Sequence, residues 1–261
     1  DPITPSNPPI YTVPPVITSL AYSNDGTMLA VSGYHETLLL SADGTKLMSR
    51  LVGQSSRIES VAFSPDGASL AVVGGAPAVF GEVQFWNLKD MSQTYAGKFG
   101  YDTLFGASYS PDGKNFACGS ADNSIRVLNV ADGKLTMKFD NHSDWTFSTT
   151  WATDNKHLLS TGRDQAVKLI VANSGQFVDD INTHTSAFRA MARNPVKDEV
   201  LVGGDDGIPR IYQVFRTKAR TMNQEDHNLL KTFEKQSARV NAVTFSKDGL
   251  KVAVAGEAGV V

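Results

Sequence analysis

The chain has 261 residues and a single cysteine, so an internal disulfide framework and a cysteine-based zinc cluster are both excluded. It has no run of 18 apolar residues, and the sequence therefore predicts no membrane-spanning helix. Its 27 acidic and 24 basic side chains give a net charge of −3, which provides no electrostatic reason to expect nucleic-acid binding. Helical periodicity is absent at useful length. A chain this long can still bury a core without cross-links.

The N-terminal segment is rich in proline. Six of the first fifteen residues are prolines, namely Pro2, Pro5, Pro8, Pro9, Pro14 and Pro15. Proline fixes φ and removes a backbone donor, so residues 1–15 are predicted to form an extended arm or linker.

The rest of the chain repeats one phrase. Residues 20–26, 61–67, 107–113 and 243–249 read LAYSNDG, VAFSPDG, ASYSPDG and VTFSKDG, and weaker copies occupy 149–155 and 191–197. Each Asp-Gly pair, or its substitute, ends one alternating apolar run and starts another, which is typical of a hairpin turn. The successive turn aspartates lie between 41 and 50 residues apart, and they are Asp25, Asp66, Asp112, Asp154, Asp198 and Asp248.

A period in the forties with four short strands per unit is typical of a β-propeller blade. In the third repeat, strands are predicted over residues 104–109, 115–119, 124–130 and 135–139. The fold class is therefore predicted to be all-β, a propeller with six visible repeats, of which the sixth is truncated.

These repeats resemble the WD40 family. The phrase Phe-Ser-Pro-Asp-Gly at 63–67, the aspartates in the turns between second and third strands, and two histidines just before first strands all match that pattern, although the Trp-Asp ending survives only as Trp86-Asn87. The resemblance covers residues 16–261. It implies structural roles for His142, His184, Asp122, Asp164 and Asp206. The aspartates are expected to order the turns, with Asp164 as the partner of His142 and Asp206 as the partner of His184.

The resemblance also implies a larger ring. Most WD40 rings have seven blades, and the sixth repeat stops at Val261, where its third strand is expected to begin. We therefore expect seven blades in the complete protein, with roughly 50 residues beyond this chain. Residues 10–13 would then be the outer strand that closes the ring.

A narrower resemblance concerns residues 29–36, 57–63 and 215–220. They are similar to the WD40 part of exported bacterial proteins that also carry a c-type cytochrome domain. This chain has no Cys-x-x-Cys-His motif, so it holds no covalent haem of its own. The resemblance implies a periplasmic or otherwise exported protein, with haem in an adjoining domain and a neighbouring domain or subunit as partner. The alternative location is the cytoplasm.

Aligned first strands predict two rows of side chains facing a central channel. Interface hot spots are enriched in arginine and aromatic residues, so the rows favour a protein or peptide partner, one that offers acidic groups to the arginines. The alternative is that the aromatic rings only fill the channel and the arginines pair with loop acids. The residues selected from the rows are Arg57, Glu59, Phe105, Trp145, Phe147, Arg189, Arg239 and Asn241.

Two further residues are predicted to contact a partner. His35 replaces the usual aspartate in the turn between the second and third strands of the first repeat. Phe80 falls in an apolar insertion, residues 74–81, which is expected to form a long exposed loop.

The hypothesis from the sequence is a non-catalytic interaction scaffold within a larger exported protein. The alternative is an enzyme or metal-dependent propeller whose site the missing blade completes. Such a site needs several acids or histidines converging on one point, and Glu59 with Asn241 does not provide them. No catalytic residue and no metal ligand are predicted.

Overall fold

The computed structural model describes residues 6, 10–140, 142–182, 186–218, 228–259 and 261. Within these residues the regular structure consists of short β-strands. The strands of the first three repeats are β1 (Leu20–Tyr22), β2 (Met28–Ser32), β3 (Glu36–Ser41), β4 (Leu47–Val52), β5 (Arg57–Phe63), β6 (Ser69–Ala76), β7 (Phe80–Asn87), β8 (Gln93–Phe99), β9 (Leu104–Tyr109), β10 (Asn115–Ser120), β11 (Ile125–Asn129) and β12 (Leu135–Phe139). Those of the last three are β13 (Thr146–Trp151), β14 (His157–Gly162), β15 (Val167–Val171), β16 (Phe177–Asp180), β17 (Phe188–Arg193), β18 (Glu199–Gly204), β19 (Arg210–Gln213), β20 (Leu229–Thr232), β21 (Val240–Phe245) and β22 (Val252–Gly256).

The strands pair in chain order. Over the described residues they form five four-stranded sheets and one two-stranded sheet, β21 with β22. Every register recorded between neighbouring strands is antiparallel, as in β13 with β14 and β14 with β15. The prediction of an all-β fold with six repeats is confirmed, and in the third repeat β9 and β12 span the predicted residues. Among the described residues, no helix is long and apolar enough to cross a membrane.

The repeated phrase forms the turn between the first and second strands. In the second repeat, Asp66 accepts hydrogen bonds from the Ser64 hydroxyl at 2.5 Å and the Ala68 amide at 3.0 Å. These bonds lower the pKa of Asp66, because both donors favour its charged form. Gly67 follows with a φ of 72°, a conformation that glycine adopts without a steric penalty. The Ser-x-Asp-Gly pattern therefore specifies the turn locally.

The described chain divides into two compact units, residues 1–122 with 128–136, and residues 123–127 with 137–261. The first unit contains two apolar clusters, one around Leu39, Leu70 and Trp86 and the other around Phe85 and Phe116. The second unit contains one cluster, with these buried residues among its members: Leu159, Leu169, Phe188, Val202 and Tyr212. Each core forms where alternate apolar side chains of neighbouring sheets meet.

Four of the six first strands, β5, β13, β17 and β21, carry a β-bulge at an equivalent position. In β5, Ile58 pairs with Gly74 and Ser60 with Val73, so Glu59 is the extra residue. The same shift makes Phe147, Arg189 and Asn241 the extra residues of β13, β17 and β21. A bulge re-aims the side chain of the extra residue and breaks the regular alternation.

Alternation therefore fails along these strands. Residues three apart are both buried, as Ile58 and Val61 show at 2% and 5% exposure. Leu20, the first residue of β1, differs from Val61 at the corresponding place in the second repeat, because it is 61% exposed.

Residues 10–13, predicted as a ring-closing outer strand, form no strand. The hydroxyl of Tyr11 is instead bonded to Glu36 and to the carbonyl of Tyr34, which holds this segment against the first sheet. Of the predicted arm, residues 1–5 and 7–9 lie outside the described residues, as does His184.

Candidate functional site

The second unit presents two aromatic rings beside arginines. We define the Arg/aromatic surface as Trp145, Phe147, Arg163, Arg189 and Arg239 with their acidic partners Asp144, Asp205 and Glu257. The rings of Trp145 and Phe147 meet edge to face with centroids 6.3 Å apart. Trp145 is 41% exposed, an unusual value for so large an apolar side chain.

A guanidinium lies over each of these rings. The Cζ atom of Arg163 is 5.9 Å from the Trp145 centroid, and that of Arg189 is 5.3 Å from the Phe147 centroid. Both distances are within the range of cation–π attraction. The contacts fix the rings in place and leave much of the indole open to solvent.

Every arginine of this surface has a carboxylate partner. Arg189 pairs with Asp205, Arg239 with Glu257 at 2.6 Å, and Arg163 with Asp144 at 3.6 Å. The hydrogen bond to Glu257 raises the pKa of Arg239. The alternative interpretation, that the arginines pair with loop acids, therefore describes this geometry. Three cations facing three anions leave the surface with no excess charge, so an acidic partner would have to displace Asp205 or Glu257.

A buried polar cluster supports this surface from beneath. His142 Nδ1 lies 2.9 Å from Asp164 Oδ1, and its Nε2 lies 2.7 Å from the Ser160 hydroxyl. Burial raises the pKa of Asp164, but the bond from His142 and the amide of Ser143 outweigh it and leave the pKa lowered. The predicted pairing of His142 with Asp164 is present. The adjoining Arg163 amide donates to the carbonyl of Trp145 at 2.8 Å, which links the cluster to the exposed indole.

The other predicted turn aspartates are also held locally. The Asp206 carboxylate pairs with the buried Arg210 at 2.7 Å, and the Asp206 amide donates to the Ser186 hydroxyl at 3.1 Å. The Asp122 amide donates to the Ser120 hydroxyl at 3.2 Å. The Asp206 carboxylate also accepts from the Ile208 amide at 3.0 Å, which is the geometry of a turn-ordering residue.

The first unit contains a cleft, which we call the Arg57 cleft. It is an open cavity of about 500 Å³ lined by Ile10, Tyr11, Thr12, Val13, Pro15, Val16, Thr18, Gly33, Tyr34, Ser56, Arg57 and Ile58. Among the described residues of that lining, Arg57 is the one that carries a charge. Its side chain is 57% exposed, and its Nε forms an ion pair with Glu59 at 3.0 Å. Burial raises the pKa of Glu59, and the nearby positive charge of Arg57 opposes that effect.

One wall of the cleft is a strap, residues 10–18, pinned at two points. Tyr11 donates to Glu36 Oε1 at 2.8 Å, while Arg50 donates to both oxygens of the fully buried Glu36. Burial and the bond to Glu36 raise the pKa of Tyr11 to about 12. At the other end, the Thr18 amide donates to the Ser32 hydroxyl at 2.9 Å.

Other predicted contact residues differ from expectation. Phe80 is the first residue of β7, half-buried, with Lys98 Nζ 4.2 Å from its ring centroid. The insertion lengthens the β6–β7 hairpin, so Val79 at the tip is exposed instead.

The other predicted contact residues lie in different settings. His35 is half-buried against Tyr34, with 4.3 Å between the ring centroids, and burial lowers the pKa of His35. Phe105 is half-buried and Asn241 exposed.

Sequence reasoning missed four residues of the Arg/aromatic surface, namely Asp144, Arg163, Asp205 and Glu257. Arg163 and Asp205 lie next to the turn aspartates Asp164 and Asp206, and Glu257 directly follows β22. For Arg163 and Asp205, a charged residue beside the turn aspartate was the available signal. Within the described part of the chain, no group of three or more His, Cys, Asp or Glu side chains is placed to hold a metal ion.

Comparison with known proteins agrees with this architecture. The profile of a β-propeller family described as "Nucleolar protein 10-like, N-terminal domain" matches residues 52–261. The chain belongs to this family. Its match begins at the end of the first sheet and includes the whole Arg/aromatic surface.

Similar proteins include WD-repeat proteins of eukaryotes. The transcriptional corepressor LEUNIG_HOMOLOG of Arabidopsis thaliana is 21% identical over 79% of this chain and 26% of its own length. The U5 small nuclear ribonucleoprotein 40 kDa protein of Dictyostelium discoideum is 23% identical over 78% and 55%. WD repeat-containing protein 55 of Pongo abelii is 24% identical over 59% and 38%. The WD40 resemblance is confirmed, and the chain spans between about a quarter and about half of these relatives.

Proposed function

We propose that the chain is a non-catalytic protein-interaction scaffold whose partner contacts the Arg/aromatic surface. The observation that carries the proposal is the exposed indole of Trp145, held in place by Arg163 and Phe147. Tryptophan and arginine are the residue types most enriched at interface hot spots. The names of the relatives, a corepressor and a ribonucleoprotein protein among them, describe proteins that act with other macromolecules.

The charge balance indicates how the partner binds. Because each arginine already has a carboxylate partner, stacking of an apolar or aromatic side chain on Trp145 supplies most of the affinity. Partner carboxylates add to it only by exchanging with Asp205 or Glu257. Binding of this kind depends weakly on salt.

A site-directed cross-link tests the proposal. A photoreactive residue in place of Asn241, which is exposed beside Arg239, should cross-link the partner in an extract of the source cells. The same residue in place of Val178, 44% exposed on the outer strand β16, should not. Equal cross-linking of one protein at both positions would contradict a partner seated on the Arg/aromatic surface.

The finer context, an exported bacterial parent with a c-type cytochrome neighbour, stays a separate prediction. It is supported by the resemblance of residues 29–36, 57–63 and 215–220, and the relatives described above are all eukaryotic. A haem absorbance band in the intact protein purified from its source, together with a mass well above 28.1 kDa, is the expected result. A haem-free protein would contradict it.

A further inference from the structure

The β6–β7 hairpin of the first unit extends further than the corresponding hairpins. The second strands β14, β18 and β22 each end at the glycine that pairs with the residue just before the bulge. In β6 that glycine is Gly74, and the strand continues for two more residues. Two strand residues lengthen the hairpin by about 7 Å.

The end of this hairpin presents an apolar surface, which we call the hairpin tip: Pro77, Ala78, Val79 and Tyr101. All four residues are exposed, Val79 to 65% and Tyr101 to 68%. The Val79 amide donates to the Ala76 carbonyl at 3.0 Å, which closes the turn. The Ala78 amide donates to Asp102 Oδ1 at 3.4 Å, and this bond joins the turn to the segment that carries Tyr101.

The backbone of the tip is strained at Ala78. Its φ of 58° lies in the left-handed region, which glycine adopts freely and alanine does not. Ala78 is exposed, so the strain does not serve to fill a core. The hairpin is also held rigidly below the tip, because a Cβ on Gly81 would lie 2.6 Å from the Asp102 carbonyl oxygen. Backbone strain in a rigidly held, exposed turn is typical of a functional segment.

A cation lies at the base of the tip. Lys98 Nζ is 4.2 Å from the centroid of the Phe80 ring, and among the described residues no carboxylate forms an ion pair with it. Lys98 pairs with Glu82 in the β7–β8 ladder, but the Glu82 carboxylate is buried and accepts hydrogen bonds from Ser55 and Gln84. The exposed Lys98 is therefore free to bind a carboxylate of another molecule.

The shape and charge of the tip define the chemistry of its partner. A convex apolar turn is buried by a concave apolar pocket, and interfaces of this kind have a polar rim. Lys98 at the base of the tip favours a carboxylate on that rim. A lipid surface fits less well, because one lysine adds only a small attraction to anionic headgroups.

We propose that the hairpin tip inserts into an apolar pocket of a partner protein and that a carboxylate at the rim of this pocket binds Lys98. The first unit thereby has a binding surface of its own, besides the Arg/aromatic surface of the second unit.

Cross-linking followed by titration tests the proposal on the full chain. The probe is photoreactive p-benzoylphenylalanine in place of Val79, irradiated in an extract of the source cells. One protein should be cross-linked from this position, and not from the same probe in place of Gln93, an exposed residue of the outer strand β8. The recovered protein is then purified and titrated against variants of the chain.

The variants assign the two contacts. Val79→Ser should weaken binding about tenfold, because it removes the apolar side chain at the end of the turn. Lys98→Gln should also weaken binding about tenfold and should make it less dependent on salt. The matched control is Lys114→Gln, whose Nζ already pairs with Asp112 at 3.9 Å, and this change should leave binding unaffected.

Four results would overturn the proposal: no cross-linked protein at Val79, the same protein cross-linked equally at Gln93, a second copy of this chain as the cross-linked product, or equal affinities of wild type and Lys98→Gln. Flotation with phosphatidylserine vesicles that Val79→Asp abolishes would assign the tip to a membrane and contradict a protein partner. None of these results bears on cross-linking at Asn241, so failure here is distinguishable from failure of the proposed scaffold function.

Discussion

The two units use one backbone device for different surfaces. In both, a β-bulge near the start of the first strand of a repeat sets the position of the extra side chain. Phe147 and Arg189 belong to the Arg/aromatic surface of the second unit, whereas Glu59 of the first unit is largely buried and pairs with Arg57 of the cleft. The second unit surrounds its extra residues with paired charges and an exposed indole, whereas the first places a single guanidinium in an aliphatic cleft. The comparison shows that the bulge sets where a side chain is presented and the neighbouring turns set its chemistry.

The supports beneath the two surfaces also differ. The second unit uses a buried histidine, serine and aspartate, His142, Ser160 and Asp164. The first uses a buried carboxylate, Glu36, bound by Arg50 and by Tyr11 of the strap. The histidine cluster holds its own sheet and turns together, whereas Glu36 also binds the strap, which has no strand structure. We therefore expect mutations in the two supports to differ in their effects on stability.

Removing the histidine support should have the largest effect. His142→Ala leaves Asp164 and Ser160 buried without their shared partner, and we expect a loss of about 3 kcal/mol in the free energy of unfolding. Chemical denaturation measures it. The control is His157→Ala, whose side chain is 24% exposed and pairs with Asp154 in a turn. Equal losses in the two variants would contradict a special role for the buried cluster.

Breaking the bulge should have the next largest effect. A Cβ on Gly204 would overlap the backbone carbonyl of Ala187, just before the bulge at Arg189. Gly204→Ala should therefore cost about 2 to 3 kcal/mol in the free energy of unfolding. Gly26→Ala has open space around its Cβ and only a positive φ to accommodate, so it should cost about 1 kcal/mol. If Gly26→Ala lost more stability than Gly204→Ala in thermal or chemical unfolding, the close approach of Gly204 to the Ala187 carbonyl would not be required.

Releasing the strap should have a smaller and local effect. Tyr11→Phe removes the bond to Glu36, and hydrogen exchange of the Thr18 and Ser19 amides, which donate to the Ser32 hydroxyl, should become about tenfold faster, or about 1.4 kcal/mol. Tyr101→Phe, an exposed tyrosine of the same unit, is the control. Unchanged exchange in Tyr11→Phe would mean that the strap is held by other contacts.

Tyr11 also predicts an alkaline pH dependence. Its pKa is raised to about 12 in the folded state, so the folded state holds this proton more tightly than the unfolded state does. Stability from the group is present below the unfolded value near 10 and is lost as pH rises towards about 12. Alkaline denaturation of wild type should show this loss in the window between those values, and Tyr11→Phe should lack it.

The turn aspartates predict the smallest effect, at acid pH. Hydrogen bonds from Ser23 and Thr27 lower the pKa of Asp25 to about 2, so its contribution is present above about 4 and is lost as pH falls towards about 2. Asp25→Asn should flatten the acid side of the stability profile slightly. If the stability profile of Asp25→Asn stays superimposable on that of wild type below pH of about 4, the lowered pKa of Asp25 does not contribute to stability.

Local sequence patterns predicted much of the fold. The Ser-x-Asp-Gly turns and the strands of the third repeat followed from residues close together or repeated at one period. The pairing of His142 with Asp164 was implied by the WD40 resemblance. The β-bulges could not be predicted, because a strictly alternating pattern of apolar and polar residues does not reveal an extra residue. Their signal was a recurring glycine at the end of the second strand, where Gly74, Gly204 and Gly256 each approach a backbone carbonyl.

The candidate site was harder to predict than the fold. Which acid neutralises Arg239, and where Tyr11 binds, depend on contacts between side chains distant in sequence or set by turn geometry. Phe80 was misplaced because an apolar insertion was interpreted as a loop, whereas β6 and β7 extend to include it.

The most direct test is the affinity of the partner recovered by cross-linking at Asn241, titrated against two single-site variants. Trp145→Ala removes an indole that is 41% exposed beneath Arg163, and Phe177→Ala removes a ring that is 46% exposed beneath Lys168 at the same 5.9 Å distance. We predict a loss of at least about tenfold for Trp145→Ala, of the size expected at a hot spot, and none for Phe177→Ala. Equal affinity of wild type and Trp145→Ala would contradict the account.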